Sequence, residues 1–153
     1  MEMENKVAET KPQTMRLEVE SLSNNEEFVR VVVAVFMSRM DPTLEEIDDV
    51  KTAVSEAVTN AVIHGYQGNE GIIYIEAKAE DQRLTVSIKD NGVGIEDVEK
   101  AREPMFTSVQ DGSRSGMGFS FMEAFMDEVE VESSAGHGCV VTMKKTIGSH
   151  PKE

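Results

Sequence analysis

The sequence predicts an α+β fold with helices on one face of a mostly antiparallel, mixed sheet. Three observations carry this. Short segments with period-two alternation end in turn residues, as half-buried strands do. Between them lie segments with the helical period, two of them opening on capping-box spacing. No internal repeat or long linker divides the chain.

The elements follow in order. Residues 14–20 alternate, with Met15, Leu17 and Val19 on one face, and read as a strand. Ser23 followed by Glu26 predicts a capping box opening a helix. That helix is expected to end near Met40, because Pro42 drives Asp41 out of the helical region. Thr43 and Glu46 form a second capping box, and Ile47, Val50, Val54, Ala57, Val58 and Ala61 keep the helical period up to a stop at Gly65. Residues 72–79 and 83–89 read as a hairpin around residues 80–82. Two glycines break the pattern over residues 90–94, and a short helix is expected over 96–102. Residues 108–115 read as a mobile loop, 116–126 as a helix, and 128–133 with 139–145 as a second hairpin. The expected organisation is one domain over 14–147, with tails at 1–13 and 148–153.

Composition sets the class. A chain of 153 residues is long enough for one buried core, and 39% apolar with 29% charged residues fits a soluble globular protein. The longest apolar stretch, 31–37, is too short to span a bilayer, and residues 1–13 lack the apolar core of a signal peptide, so a cytoplasmic protein without membrane contact is expected. Cys139 cannot form an internal disulfide and reads as a small apolar residue in a strand. The net charge of −14 argues against direct nucleic-acid binding; it suits a basic protein partner or solubility alone.

Three constellations carry chemistry. In the first, Glu56, Asn60 and His64 are spaced by four and share one helix face. An amide oxygen such as that of Asn60 can ligate Mg²⁺, and a carboxylate one turn away can accept a proton. Alone, the segment is as well explained by a solvated helix face. The second, Asp90-Asn91-Gly92-Val93-Gly94-Ile95, follows a strand; its glycines permit close backbone approach, and its carboxylate can accept from an exocyclic amine. Alone, it also reads as an ordinary turn. The third, Arg114-Ser115-Gly116-Met117-Gly118-Phe119, leads into a helix and offers amide groups and a guanidinium to phosphate, or is a glycine-rich loop and nothing more. It matches neither the Walker loop nor the dinucleotide fingerprint.

The order and spacing of the three together resemble the GHKL ATPase superfamily, whose ATP-binding sandwich is the Bergerat fold. The resemblance runs from about Thr14 to Ile147. Within the superfamily the chain is most similar to the sporulation sigma-F anti-sigma factors, which are serine kinases. The matching stretches are residues 40–43, 55–66, 103–107, 114–119 and 126–129. The resemblance implies ATP or ADP with Mg²⁺ as cofactors. It implies Asn60 as metal ligand, Glu56 as general base and Asp90 as the adenine contact. Gly92, Gly94, Gly116 and Gly118 would hold phosphates, and Arg114 would touch the terminal phosphate. His64, Phe106, Thr107, Ser115, Met117 and Phe119 complete the implied nucleotide site, and residues 107–115 the lid. One departure stands out. Relatives carry threonine after the glycine that opens the last strand. Here the pair is Gly138-Cys139, with Thr142 nearby at an even step along the strand.

The function so implied is twofold. A serine of an anti-anti-sigma antagonist would receive the γ-phosphate, and a dimer would hold a sigma factor away from RNA polymerase. Rival readings are an anti-sigma kinase of the general stress response and an ATP-dependent binding module without kinase activity. A histidine-kinase fragment fits less well. His64 lies inside the nucleotide motif, and His137 and His150 lie in a turn and a tail.

Overall fold

The computed structural model describes residues 11–103 and 118–148. Among the described residues five strands form one sheet in the order β1 (Gln13–Glu20), β2 (Ile72–Glu80), β3 (Arg83–Asp90), β5 (Cys139–Thr146), β4 (Glu128–Ser133). All four ladders are antiparallel, in line with the mostly antiparallel sheet expected. Alternation fixes the register, because a one-residue slip would turn every apolar side chain to the wrong face. One row shows the result: Leu17 faces Ile75, Ile75 faces Ile88, Ile88 faces Val141, and Val141 faces Val131. The opposite face carries Arg16, Glu76, Lys89 and Glu130.

Helices α1 (Asn25–Met37), α2 (Leu44–Asn60) and α4 (Gly118–Phe125) join the apolar face of the sheet in one core, with α2 in contact with both others. Val33, Val54, Val58, Ile75, Val86 and Met122 are fully or almost fully buried there. Burying such side chains contributes roughly 1.5–3 kcal/mol each.

The capping box at α2 forms in full: Thr43 accepts from the Glu46 amide at 3.0 Å, and Glu46 accepts from the Thr43 amide at 3.0 Å. The box expected at Ser23 does not form. The N-cap is Asn24, without a side-chain bond, and the carboxylate of Glu26 instead takes Arg30 and the Ser55 hydroxyl. A charged, partly buried partner outweighs a backbone amide that water can satisfy. Helix α1 stops at Met37, and one 3₁₀ turn, Ser38–Met40, carries the chain to Asp41, which sits in the left-handed region at φ 56°. The short helix expected over 96–102 is α3 (Val98–Ala101), capped by Asp97, whose carboxylate accepts from the Lys100 amide at 3.1 Å.

The β2–β3 loop is Asp81-Gln82, with φ of 51° and 64°, as a two-residue primed turn requires. Gln82 holds that conformation by donating to the carbonyls of Met40 and Ile147, at 2.9 and 2.7 Å. Among the described residues no helix is long and apolar enough to cross a membrane.

Candidate nucleotide site

Along β3 the inward positions Leu84, Val86 and Ile88 are apolar and buried. Asp90 occupies the next inward position, facing Cys139, which in turn faces Ser133. Asp90 is only 5% exposed, an unusual place for a carboxylate. Above this row, α2 does not end in an ordinary cap. It widens into a π turn, Ala61–Gly65, with the Tyr66 amide donating to the Ala61 carbonyl at 2.9 Å. Such turns break regular packing and recur at functional sites. Between them lies a cavity of about 750 Å³.

Its walls come from every layer. Helix α2 and its π turn give Ala57, Asn60, Ala61 and His64. The sheet gives Ile88, Asp90, Cys139 and Val141, and the loop after β3 gives Val93, Gly94 and Ile95. Lys100 of α3 and Phe119 of α4 close it.

A mesh of backbone bonds shapes the loop after β3. The Gly65 carbonyl accepts from the Val93 amide at 2.9 Å, and the Gly92 carbonyl accepts from the Gly138 amide at 3.1 Å. A Cβ at Gly92 would stand 1.9 Å from the Gly65 carbonyl oxygen. One at Gly94, where φ is +79°, would stand 2.0 Å from the Ser134 oxygen. Only glycine fits either position. Ser133 donates to the Gly138 carbonyl and accepts from the Ile95 amide, locking the β4–β5 hairpin to the same loop.

Three polar groups define the chemistry. Asp90 Oδ1 accepts from the Gly92 amide at 2.8 Å. Burial raises the Asp90 pKa, and the Gly92 bond opposes that rise. The Asn60 Oδ1 and His64 Nε2 atoms are buried without a hydrogen-bond partner in the structure. Burial lowers the His64 pKa. Buried polar atoms are normally satisfied, so an orphaned amide oxygen in a cavity marks a place for a ligand. The Cys139 thiol is pushed up to about 11, first by burial and then by the Asp90 charge, with a Ser133 bond opposing, so it stays neutral.

The structure thus gathers Asn60, His64, Asp90, Gly94 and Phe119 around one cavity. Gly92 braces the Gly65 carbonyl instead of lining the space. Glu56 stands half-buried one turn before Asn60 and is not among the lining residues. Gly118 opens α4. Phe106, Thr107, Arg114, Ser115, Gly116, Met117 and the expected lid lie outside the described residues, as do most of both expected tails. Thr142 does not substitute for the absent threonine. Counted from Cys139 the step is three, so it faces the other side of the sheet, 3.3 Å from the Ser87 hydroxyl.

Residues 19–145 match the model of the histidine kinase-like ATPase domain family. The chain is 57% identical over 131 residues to an anti-sigma F factor of Clostridium acetobutylicum, covering 86% of this chain and 92% of that one. It is 54% identical over 135 residues to an anti-sigma F factor of a Thermoanaerobacter species, covering 88% and 94%. The chain belongs to the anti-sigma F factor family. In solved structures the family's fold recurs at low identity. The RsbU and RsbW domains of a Mycobacterium tuberculosis protein superpose with a TM-score of 0.64 at 21% identity, over 94% of this chain and 34% of that one. The catalytic domain of the histidine kinase ThkA gives 0.55 at 19%, over 87% and 96%.

Two residues that shape the cavity and its loop carry no signal of that role in the sequence. Gly65 reads as a helix stop, yet a Cβ there would meet the Asp90 carboxylate at 2.7 Å. Ser133 carries no local signal; only its register opposite Cys139 brings it to the loop.

Proposed function

We propose that the cavity binds ATP with Mg²⁺ and that the chain transfers the γ-phosphoryl group to a serine of an anti-anti-sigma protein. In the same reading a dimer of the chain holds a sigma factor, the partner class that its relatives' names carry. The observation that carries the proposal is the buried, unpartnered Asn60 Oδ1 in a cavity that also holds a buried carboxylate, Asp90.

The residues divide the work. Asp90, with Oδ1 fixed by Gly92, accepts from the exocyclic amine of adenine. The loop at Gly94 brings backbone close to the phosphates. Asn60 fits a hard cation through its amide oxygen; among the described residues no group of three or more His, Cys, Asp or Glu could hold one. Mg²⁺, when bound, neutralises polyphosphate charge. Glu56 accepts the proton of the attacking serine hydroxyl. Arg114 contacts the terminal phosphate.

Incubation with [γ-³²P]ATP and a candidate antagonist tests this. Label on a serine of the antagonist is expected. No label, with sigma binding retained, would replace the kinase by an ATP-dependent binding module.

A further inference from the structure

Tyr66 ends the π turn and does not line the cavity, yet its hydroxyl joins two separate segments beneath it. It donates to the Ile72 carbonyl at the start of β2, at 2.6 Å, and accepts from the Asn91 amide at 2.8 Å. Asn91 stands between Asp90, which would read the base, and Gly92, whose amide holds the Asp90 carboxylate. The ring is fixed as tightly as the hydroxyl. A Cβ at Gly71 would stand 2.4 Å from the Tyr66 Cε1 atom, so this glycine gives the ring its room. The end of α2, the start of β2 and the loop after β3 thus meet at one phenol.

We propose that Tyr66 is a positioning residue for nucleotide binding, its hydroxyl fixing the loop after β3 so that Asp90 and Gly94 keep the spacing a nucleotide requires. The inference rests on the ATP site proposed above. Asn91 is exposed, so water can satisfy its amide when the phenol oxygen is removed. The fold therefore survives that change, while the Asn91 end of the loop loses its one bond to the phenol and is held less tightly. The ligand must then order the loop on binding, and affinity falls.

Tyr66→Phe keeps the ring and removes only the hydroxyl. The KM for ATP should rise about three- to tenfold, the equivalent of one ordinary hydrogen bond, with kcat at saturating ATP unchanged. Hydrogen exchange without nucleotide supplies an independent reading: the amides of residues 91–93 should exchange faster while those of β2 and β3 keep their protection. An unchanged KM overturns the proposal. So does a joint fall in kcat and in protection across the whole sheet, which marks a structural role. If the wild-type chain itself fails to bind ATP, the nucleotide reading falls and this inference with it. If it binds and the variant matches it, only the role of Tyr66 is lost.

Discussion

At the scale of single residues, two buried atoms without partners make opposite statements about pH and metal. Asn60 does not titrate, so its orphaned oxygen needs a donor or a cation from outside the chain, water or ligand, at every pH. Asn60→Ala removes that oxygen and should abolish or sharply reduce the Mg²⁺-dependent part of nucleotide affinity. Calorimetry with and without Mg²⁺ measures this, and an unaltered Mg²⁺ effect would remove Asn60 from the metal site. His64 can titrate, and burial lowers its pKa from 6.5. The folded state thus binds its proton less readily than the unfolded chain. Its stabilising contribution is complete above pH 6.5 and is lost as pH falls from there through the lower folded value. Asp90 runs the other way: with its folded pKa raised, acidification relieves a penalty. Comparing wild type with His64→Gln separates the two. Urea titrations at pH 7.5 and 5.5 should show a smaller acid loss in the variant; equal losses would mean that His64 is protonated without cost.

At the scale of elements, the joins between secondary structures matter more than the elements themselves. Gln82 is the clearest case. Its side chain clamps the ends of two distant segments, Met40 and Ile147, while its backbone carbonyl accepts from the Ile147 amide at 2.8 Å. Gln82→Ala keeps the strained φ and deletes both side-chain bonds. It should destabilise the protein by about 1–3 kcal/mol with an unchanged denaturant slope. A loss under a few tenths would mean that water replaces the clamp. These joins are also where the sequence was least legible. Both hairpins, the helix α2 with its Thr43 cap, and the glycine break after β3 were readable, because each depends on residues close in sequence. The Ser23 cap failed because Glu26 had a stronger partner on α2, at Ser55, which no local pattern reveals. The π turn was unreadable for the same reason: Gly65 looks like a stop until Asp90 and Val93 arrive from another strand and loop to fill the space beside it. The motif residues Asn60, Asp90 and Gly94 were legible by type and spacing, whereas Ser133 and Tyr66 reach the site only through tertiary register.

At the scale of the whole molecule, the proposal gives one chain two tasks, phosphoryl transfer and sigma sequestration, that need not share the same groups. Glu56 is where they can be separated. It sits on α2 one turn before Asn60, outside the cavity lining, so changing it should leave the space for nucleotide intact. Glu56→Gln retains size and hydrogen-bonding capacity but removes the base. General-base catalysis contributes about 10²–10⁴-fold in rate, and antagonist phosphorylation should fall by that order. ATP affinity should persist, and so should sigma affinity, because holding a partner requires no proton transfer. In the proposed reading, a cell carrying such a variant would leave the antagonist unphosphorylated. Phosphorylation rate and sigma affinity therefore belong in one paired measurement on the same preparation. Near-normal phosphorylation would take Glu56 out of the chemistry. Joint loss of both activities would make its role structural and leave the two-task reading without its main support. Loss of phosphorylation alone, with both affinities kept, is the outcome that a general base outside the cavity lining predicts.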